Sequence, residues 1–255
     1  MLMLGRWQLA RAAEKIALMQ GAEQASLGAA TELSALNLPV VASGSSGAAN
    51  PQNIAEPASL QRLESGSFNR VVIKGSVLAD RQLLWDNRIH KGVAGFEVLL
   101  PVQLKSEGRP IVLVNRGWVP PGASRSELPD VALPVELAAD SELTLEGMHT
   151  LPSRGFARGQ ALEARDTEEA RSWPALLQYP DYFEISNALK HPVIMGVVQD
   201  VKISGAANSG LLYTNNWSPV ANGPEKHYGY AFQWFAMFAA LLVIFLLTNS
   251  RRIEA

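Results

Sequence analysis

The sequence predicts a membrane-anchored α+β protein. Its β-rich extracytoplasmic domain, a small antiparallel sheet or open barrel, sits on a C-terminal transmembrane helix. Two observations carry this prediction. Tyr228 to Leu247 reads YGYAFQWFAMFAALLVIFLL without a charged side chain, and about 20 such residues at ~1.5 Å each cross the hydrocarbon core of a bilayer. Upstream, from Phe68 to Val198, short β-branched runs alternate with Gly- and Pro-bearing turns, the pattern of a many-stranded sheet rather than of a helical bundle.

Composition narrows the function classes. The chain has 255 residues and a formal net charge of −2, so it carries no basic field to attract nucleic acid. Cysteine is absent, which removes disulfides, thiolate metal sites and thiol nucleophiles together. Arg251 and Arg252 follow the apolar run and favour a cytoplasmic C-terminus. Everything before residue 226 then faces the outer side of the membrane. A domain of that size crosses a bilayer only behind a signal or an anchor, and Met1 to Gly5 is too short for either. Gly5-Arg6-Trp7-Gln8-Leu9-Ala10-Arg11 reads as the outward flank of a spanning helix, with an interfacial Trp followed by Arg. The expectation is a first transmembrane helix upstream of residue 1. The alternative is a short amphipathic helix lying on the membrane from a true start at Met1.

The elements follow in order. Residues 1–25 are rich in helix formers and free of Pro, which predicts a helix flanking that first span. Residues 26–57 are rich in Ala, Ser, Gly, Asn and Pro, which predicts a flexible linker. The β-rich domain is expected over 58–226. It opens with a short helix over Ala58–Glu64. Strands are expected over residues 70–78, over 95–104 with Pro101 marking an edge or a bulge, over 111–119 and over 142–148, where apolar and polar residues alternate. The second and third form a β-hairpin across the turn Glu107-Gly108-Arg109-Pro110. A short helix is expected over 182–189 and a last strand over 192–198. Residues 227–249 are the transmembrane helix and 250–255 a cytoplasmic tail.

Enzyme signatures are missing. The chain has no Gly-x-Ser-x-Gly elbow, no phosphate-cradling Gly-rich loop before a Lys and no His-Glu-x-x-His helix. The carboxylates Glu163, Asp166, Glu168 and Glu169 lie in a polar stretch and read as solvated surface. Of the four histidines, His149 reads as a surface or edge residue, His191 as a loop residue before Pro192, and His90 as part of a structural turn through Trp85-Asp86-Asn87-Arg88-Ile89-His90-Lys91-Gly92. His227 stands at the water–lipid boundary ahead of Tyr228, Tyr230, Phe232, Trp234 and Phe235. It reads either as an axial haem ligand under an aromatic cover or as an interfacial anchor in an aromatic belt.

Five blocks in order along the chain resemble the surfeit locus protein 1 family, whose members assist assembly of cytochrome c oxidase and related haem-copper oxidases. They are Gly5-Arg6-Trp7-Gln8-Leu9 with Arg11 and Lys15; Asp86-Asn87-Arg88 through Gly95-Phe96-Glu97-Val98-Leu99-Leu100-Pro101; Val114-Asn115-Arg116-Gly117-Trp118-Val119-Pro120; Asn215-Asn216-Trp217; and His227-Tyr228-Gly229-Tyr230-Ala231-Phe232-Gln233-Trp234-Phe235. The resemblance implies two membrane helices flanking an extracytoplasmic domain in a bacterial plasma membrane. It implies transient binding of haem a, with His227 on the iron and Tyr230 and Trp234 over the macrocycle. The partners it implies are the oxidase catalytic subunit, the haem a synthesis machinery and the lipid bilayer. Asn115, Arg116, Trp118, Asn215 and Trp217 are then candidates for contact with the oxidase or haem propionates. For Arg116, Gly117 and Trp118 the structural alternative is a buried strand end, where Gly permits a bend and Trp fills the core. Asn215 and Trp217 read alternatively as seating the domain on the membrane. Three functional classes are carried forward: a non-catalytic assembly factor that handles haem a, an anchored oxidase chaperone that never binds haem, and an exported membrane enzyme.

Overall fold

The computed structural model describes residues 1–44, 68–122, 127–134, 142–151, 173–203, 211–220 and 223–250. The expected helix over Ala58–Glu64 and the acidic run Glu163 to Glu169 lie outside the described residues. In chain order the helices are α1 (Leu2–Leu27), α2 (Tyr182–Leu189) and α3 (Pro224–Ser250). The strands are β1 (Thr31–Glu32), β2 (Val40–Val41), β3 (Phe68–Val77), β4 (Leu83–His90), β5 (Val93–Leu104), β6 (Ile111–Val119), β7 (Glu142–Thr150), β8 (Ala175–Leu177) and β9 (Val193–Ile203). The chain divides into two compact units, one of Ala25–Trp217 and one of Met1–Gln24 with Ser218–Ala255.

In the first unit, β3, β7, β9, β6 and β5 pair in that order. β5 then returns to β3 through Gly75↔Leu104, Ser76↔Gln103 and Val77↔Val102, so the five strands close a ring. The architecture is therefore a closed barrel, neither an open one nor a flat sheet. It is also not wholly antiparallel, because β6 and β9 run parallel. A parallel pair needs a long crossover, and the chain between these strands supplies one that includes β7, β8 and α2. Closure depends on Gly75. A Cβ there would overlap the Gln103 carbonyl and Val102, so only glycine lets β3 cross β5 this closely.

Pro101 is neither at an edge nor at a bulge. It lies inside β5, opposite Leu113 of β6. On its other flank β5 pairs with β4 up to Leu99 and with β3 from Val102. Pro101 occupies the handover between those partners, and its carbonyl accepts from Leu78 N at 3.0 Å. Its missing N–H costs the ladder nothing there.

Val71, Ile73, Val102, Val112, Leu145 and Val198 fill the barrel from all five of its strands, with Leu33 among them. Leu33 sits in a single 3-10 turn after β1, and β1 and β2 pair with β3 and β9. The described part of the expected linker is thus a docked segment, tied down by a leucine that composition alone hides among small residues. α2 starts at Asp181, whose Oδ1 accepts from Phe183 N at 2.9 Å and Glu184 N at 3.1 Å, a side-chain N-cap. It packs Ile185 and Leu189 with Leu99, Leu113 and Val197. The segment expected as a turn around His90 is mostly strand, since β4 runs to His90 and pairs with β5 around Lys91-Gly92.

His149 corrects the sequence reading most sharply. It lies on β7 between Asn69 of β3 and Val198 of β9, with 0% of its surface exposed. Its Nε2 sits 3.0 Å from the Met195 carbonyl. Gly196 has φ +120°, and a Cβ there would overlap the ring. The alternation along β7 predicted which residues turn outward, but not that neighbouring strands would cover both sides.

In the second unit, α3 is the one helix among the described residues long and apolar enough to cross a membrane. From Ala239 to Ser250 its side chains are exposed all round, Phe245 at 61% among them, while Ala231, Trp234, Phe235 and Phe238 form a covered or half-covered stripe in the first half. Water would not tolerate such a surface, and lipid would. A small residue marks where α1 and α3 meet: Gly5 is buried in α1. A Cβ on Gly5 would lie 2.6 Å from the Phe235 ring. Close approach at small residues is how helices associate where no hydrophobic drive separates them from their solvent.

Burial lowers the His149 pKa from 6.5 to about 4, with the hydrogen bond to Met195 opposing. Between those values the unfolded chain binds a proton that the folded barrel refuses, so stability rises with pH across that window. The barrel is expected to lose up to about 3 kcal/mol as pH falls from about 6.5 to about 4. Urea unfolding of wild type and His149→Gln at both pH values checks this: the variant keeps a donor for Met195 O but cannot titrate, and its slope with pH should flatten.

Candidate functional site

Residues 115–117 carry the centre of the barrel unit's polar network. The β5–β6 pairing slips between Val98↔Gly117 and Leu99↔Asn115, leaving Arg116 as the extra residue of a bulge. Gly117 takes φ +113°, and a Cβ there would stand 2.7 Å from the Thr214 carbonyl. The bulge turns the Arg116 side chain inward, where only 1% of it is exposed. Its Nε donates to Leu211 O at 2.7 Å, and its Nη1 donates to Val131 O at 2.6 Å and to Gln82 Oε1. Its guanidinium also lies 4.6 Å from the Tyr213 ring centre. Burial pushes the guanidinium pKa below its ordinary value, and Tyr213 opposes through charge and a hydrogen bond. An arginine keeps its proton even so, and its donors are used to pin backbone.

Asn115 works beside it. Its Nδ2 donates to Glu97 Oε2 at 2.9 Å and Gln199 Oε1 at 2.7 Å, and its Oδ1 accepts from Gly117 N at 2.8 Å. Glu97 is itself 1% exposed and accepts from Arg88 Nε at 3.0 Å. The Arg88 guanidinium covers the Trp85 ring at 4.2 Å, while its carbonyl accepts from Trp118 Nε1 at 2.8 Å. The Trp118 ring lies 5.1 Å from His90, whose Nδ1 is 2.8 Å from Asn216 Oδ1. The segment 211–217 is stitched to this bulge. Tyr213 N donates to Arg116 O at 2.6 Å and Trp118 N to Thr214 O at 2.7 Å. Asn215 Nδ2 donates to Asp200 Oδ1 at 2.8 Å, and Trp217 packs edge-on to Phe68 at 6.2 Å.

The three sequence blocks through Arg88–Glu97, Asn115–Trp118 and Asn215–Trp217 thus form one network. Asn115 and Arg116 are buried and act through what they hold. Trp118, Asn215 and Trp217 are at least partly exposed and form the surface itself. Gln82, Gln199 and Tyr213 belong to the network and carried no sequence signal, because each meets Asn115 or Arg116 only through tertiary folding.

The remaining candidates lie on the membrane helix. His227 occupies the first turns of α3 and is half-buried. Its Nδ1 stands 2.7 Å from Oε1 of Gln8 on α1. Trp234, seven residues on, shares its helix face and is half-buried, whereas Tyr230 is 52% exposed. Among the described residues no group of three or more His, Asp or Glu could hold a bare metal ion. A haem asks less of the protein, since its porphyrin supplies four nitrogens and one imidazole can complete the axial position. A lone, half-buried histidine beside aromatic rings fits that demand.

Replacing Arg116 by Leu strands the Gln82, Val131 and Leu211 oxygens inside the fold. The expected cost is about 3 kcal/mol, read from urea unfolding. Hydrogen exchange should quicken selectively at Tyr213 and Trp118, whose amides depend on the bulge.

No curated protein sequence matches the chain. The model of the SURF1 family matches residues 1–239. That span includes the bulge network, the Asn215–Trp217 segment, Gln8 and His227, and the chain belongs to the SURF1 family.

Proposed function

We propose that this protein is a non-catalytic assembly factor for a haem-copper terminal oxidase. It binds haem a at the membrane edge through His227 and assists its insertion into the oxidase catalytic subunit. Membership of the SURF1 family is consistent with oxidase assembly, and α3 fits a membrane anchor. The observation that carries the haem reading is the setting of His227. It stands near the start of an apolar helix, half-buried, with Nδ1 already engaged by Gln8 and aromatic rings along the helix.

Haem a, when bound, would supply an iron that a neutral imidazole nitrogen such as that of His227 could ligate. The chain's own residues do the rest. His227 presents the nitrogen, and Trp234 lends apolar cover on the same helix face. Tyr230, more exposed, is the ring most open to a partner.

A second reading is a membrane-anchored oxidase chaperone that never binds haem. The bulge network favours it, because that network organises a surface of Trp118, Asn215 and Trp217 without needing a cofactor.

The test is a reduced-minus-oxidised spectrum of the protein purified after co-expression with haem a synthesis. A haem a band in wild type and its loss in His227→Ala, with the fold unchanged by circular dichroism, is the expected result. Equal haem content in the two proteins removes the ligand role. No band in either leaves the docking chaperone.

A further inference from the structure

We propose that Gln8 is the positioning residue of this site: it selects the tautomer of His227 and so fixes which nitrogen is offered to iron. The inference rests on the haem reading above and goes beyond it, because it assigns a role to a residue on a different helix.

The argument runs from one contact. His227 Nδ1 lies 2.7 Å from Gln8 Oε1. An amide oxygen only accepts, so the proton of this hydrogen bond sits on Nδ1. A neutral imidazole has a single N–H. Its other nitrogen, Nε2, therefore carries the free lone pair, which is what a metal requires. A ring without such a partner would divide its population between two tautomers and turn about its side-chain bonds. Holding the second ring nitrogen is the usual way a protein orients a histidine ligand.

Chain position makes the contact informative. Gln8 and His227 are 219 residues apart, so nothing local brings them together. They are aligned by the packing of α1 on α3, where Gly5 lets the Phe235 ring approach. Going from Gly5 to Gln8 along α1 corresponds to going back from Phe235 to His227 along α3. The two helices thus run in opposite directions at this contact. Both side chains are half-buried, which weakens competition from water for the shared proton. The amide is also neutral. It orients the ring without the added basicity that a carboxylate partner would give the metal-facing nitrogen, which suits a ligand that must later let go.

The experiment uses the full chain in lipid nanodiscs, labelled with nitrogen-15 histidine. His227 is assigned by the signals lost in His227→Ala. In wild type the neutral His227 ring is expected to show a proton on Nδ1. In Gln8→Leu that signature should give way to a mixture of tautomers, and titration with haem a should show affinity lower by about 10- to 100-fold. Gln8→Glu keeps an acceptor at this position and should retain both the Nδ1 proton and the haem. A merely structural Gln8 would leave the His227 tautomer unchanged in Gln8→Leu, and that result overturns the proposal. The haem reading fails separately. If the tautomer responds as stated but wild type takes up no haem a, Gln8 still positions His227 and the ligand role of His227 is wrong.

Discussion

A guanidinium with 1% of its surface exposed must find its hydrogen bonds inside the protein, and Arg116 finds them by joining distant stretches of chain. Its acceptors come from Gln82 just before β4, Val131 in a proline-rich loop and Leu211 beyond β9. Each is a group whose own burial would be costly without a donor. The arrangement needs the bulge that turns Arg116 inward, and the bulge needs a glycine next to it, because Gly117 combines φ +113° with the close carbonyl of Thr214. Asn115 on the other side ties the same bulge to Glu97 and Gln199. Three consecutive residues thus decide how the segment carrying Asn215 and Trp217 lies on the barrel.

Charge is used here for specificity of placement. A buried Arg–Gln–carbonyl cluster gains little over an apolar packing of similar volume, yet it admits far fewer arrangements. The apolar barrel core supplies stability by burying side chains from five strands. The polar cluster fixes placement at the bulge, beside the partly exposed Trp118 and Trp217 and the exposed Asn215.

The helical unit obeys a different solvent. Beyond Phe238, α3 exposes large apolar side chains on every face, which fits a lipid surrounding. Its approach to α1 uses Gly5, against which the Phe235 ring lies. In that setting a polar pair such as Gln8 and His227 stands out, because each side chain would otherwise lack a partner where water is scarce.

The membrane helix, the β5–β6 hairpin, α2 and most strands were legible from the sequence. Their signals are local: an uncharged apolar run, alternation, β-branched clusters and turn residues within a few positions. The family blocks were legible too, and they marked the residues that later proved to share one network. Closure of the barrel, the parallel β6–β9 pair, the burial of His149 and the docking of Leu33 were not. Each depends on which strand becomes a neighbour, and residues far apart in sequence decide that together. Pro101 shows the difference well. Locally it reads as an edge residue, and only the handover from β4 to β3 explains how it sits inside a strand. The sequence by itself determined that His227 stands near the start of a long apolar helix, since that needs only the order of residues along the chain. The tertiary structure alone decided which nitrogen of His227 is engaged, because its partner Gln8 arrives on another helix, 219 residues away, through packing at Gly5.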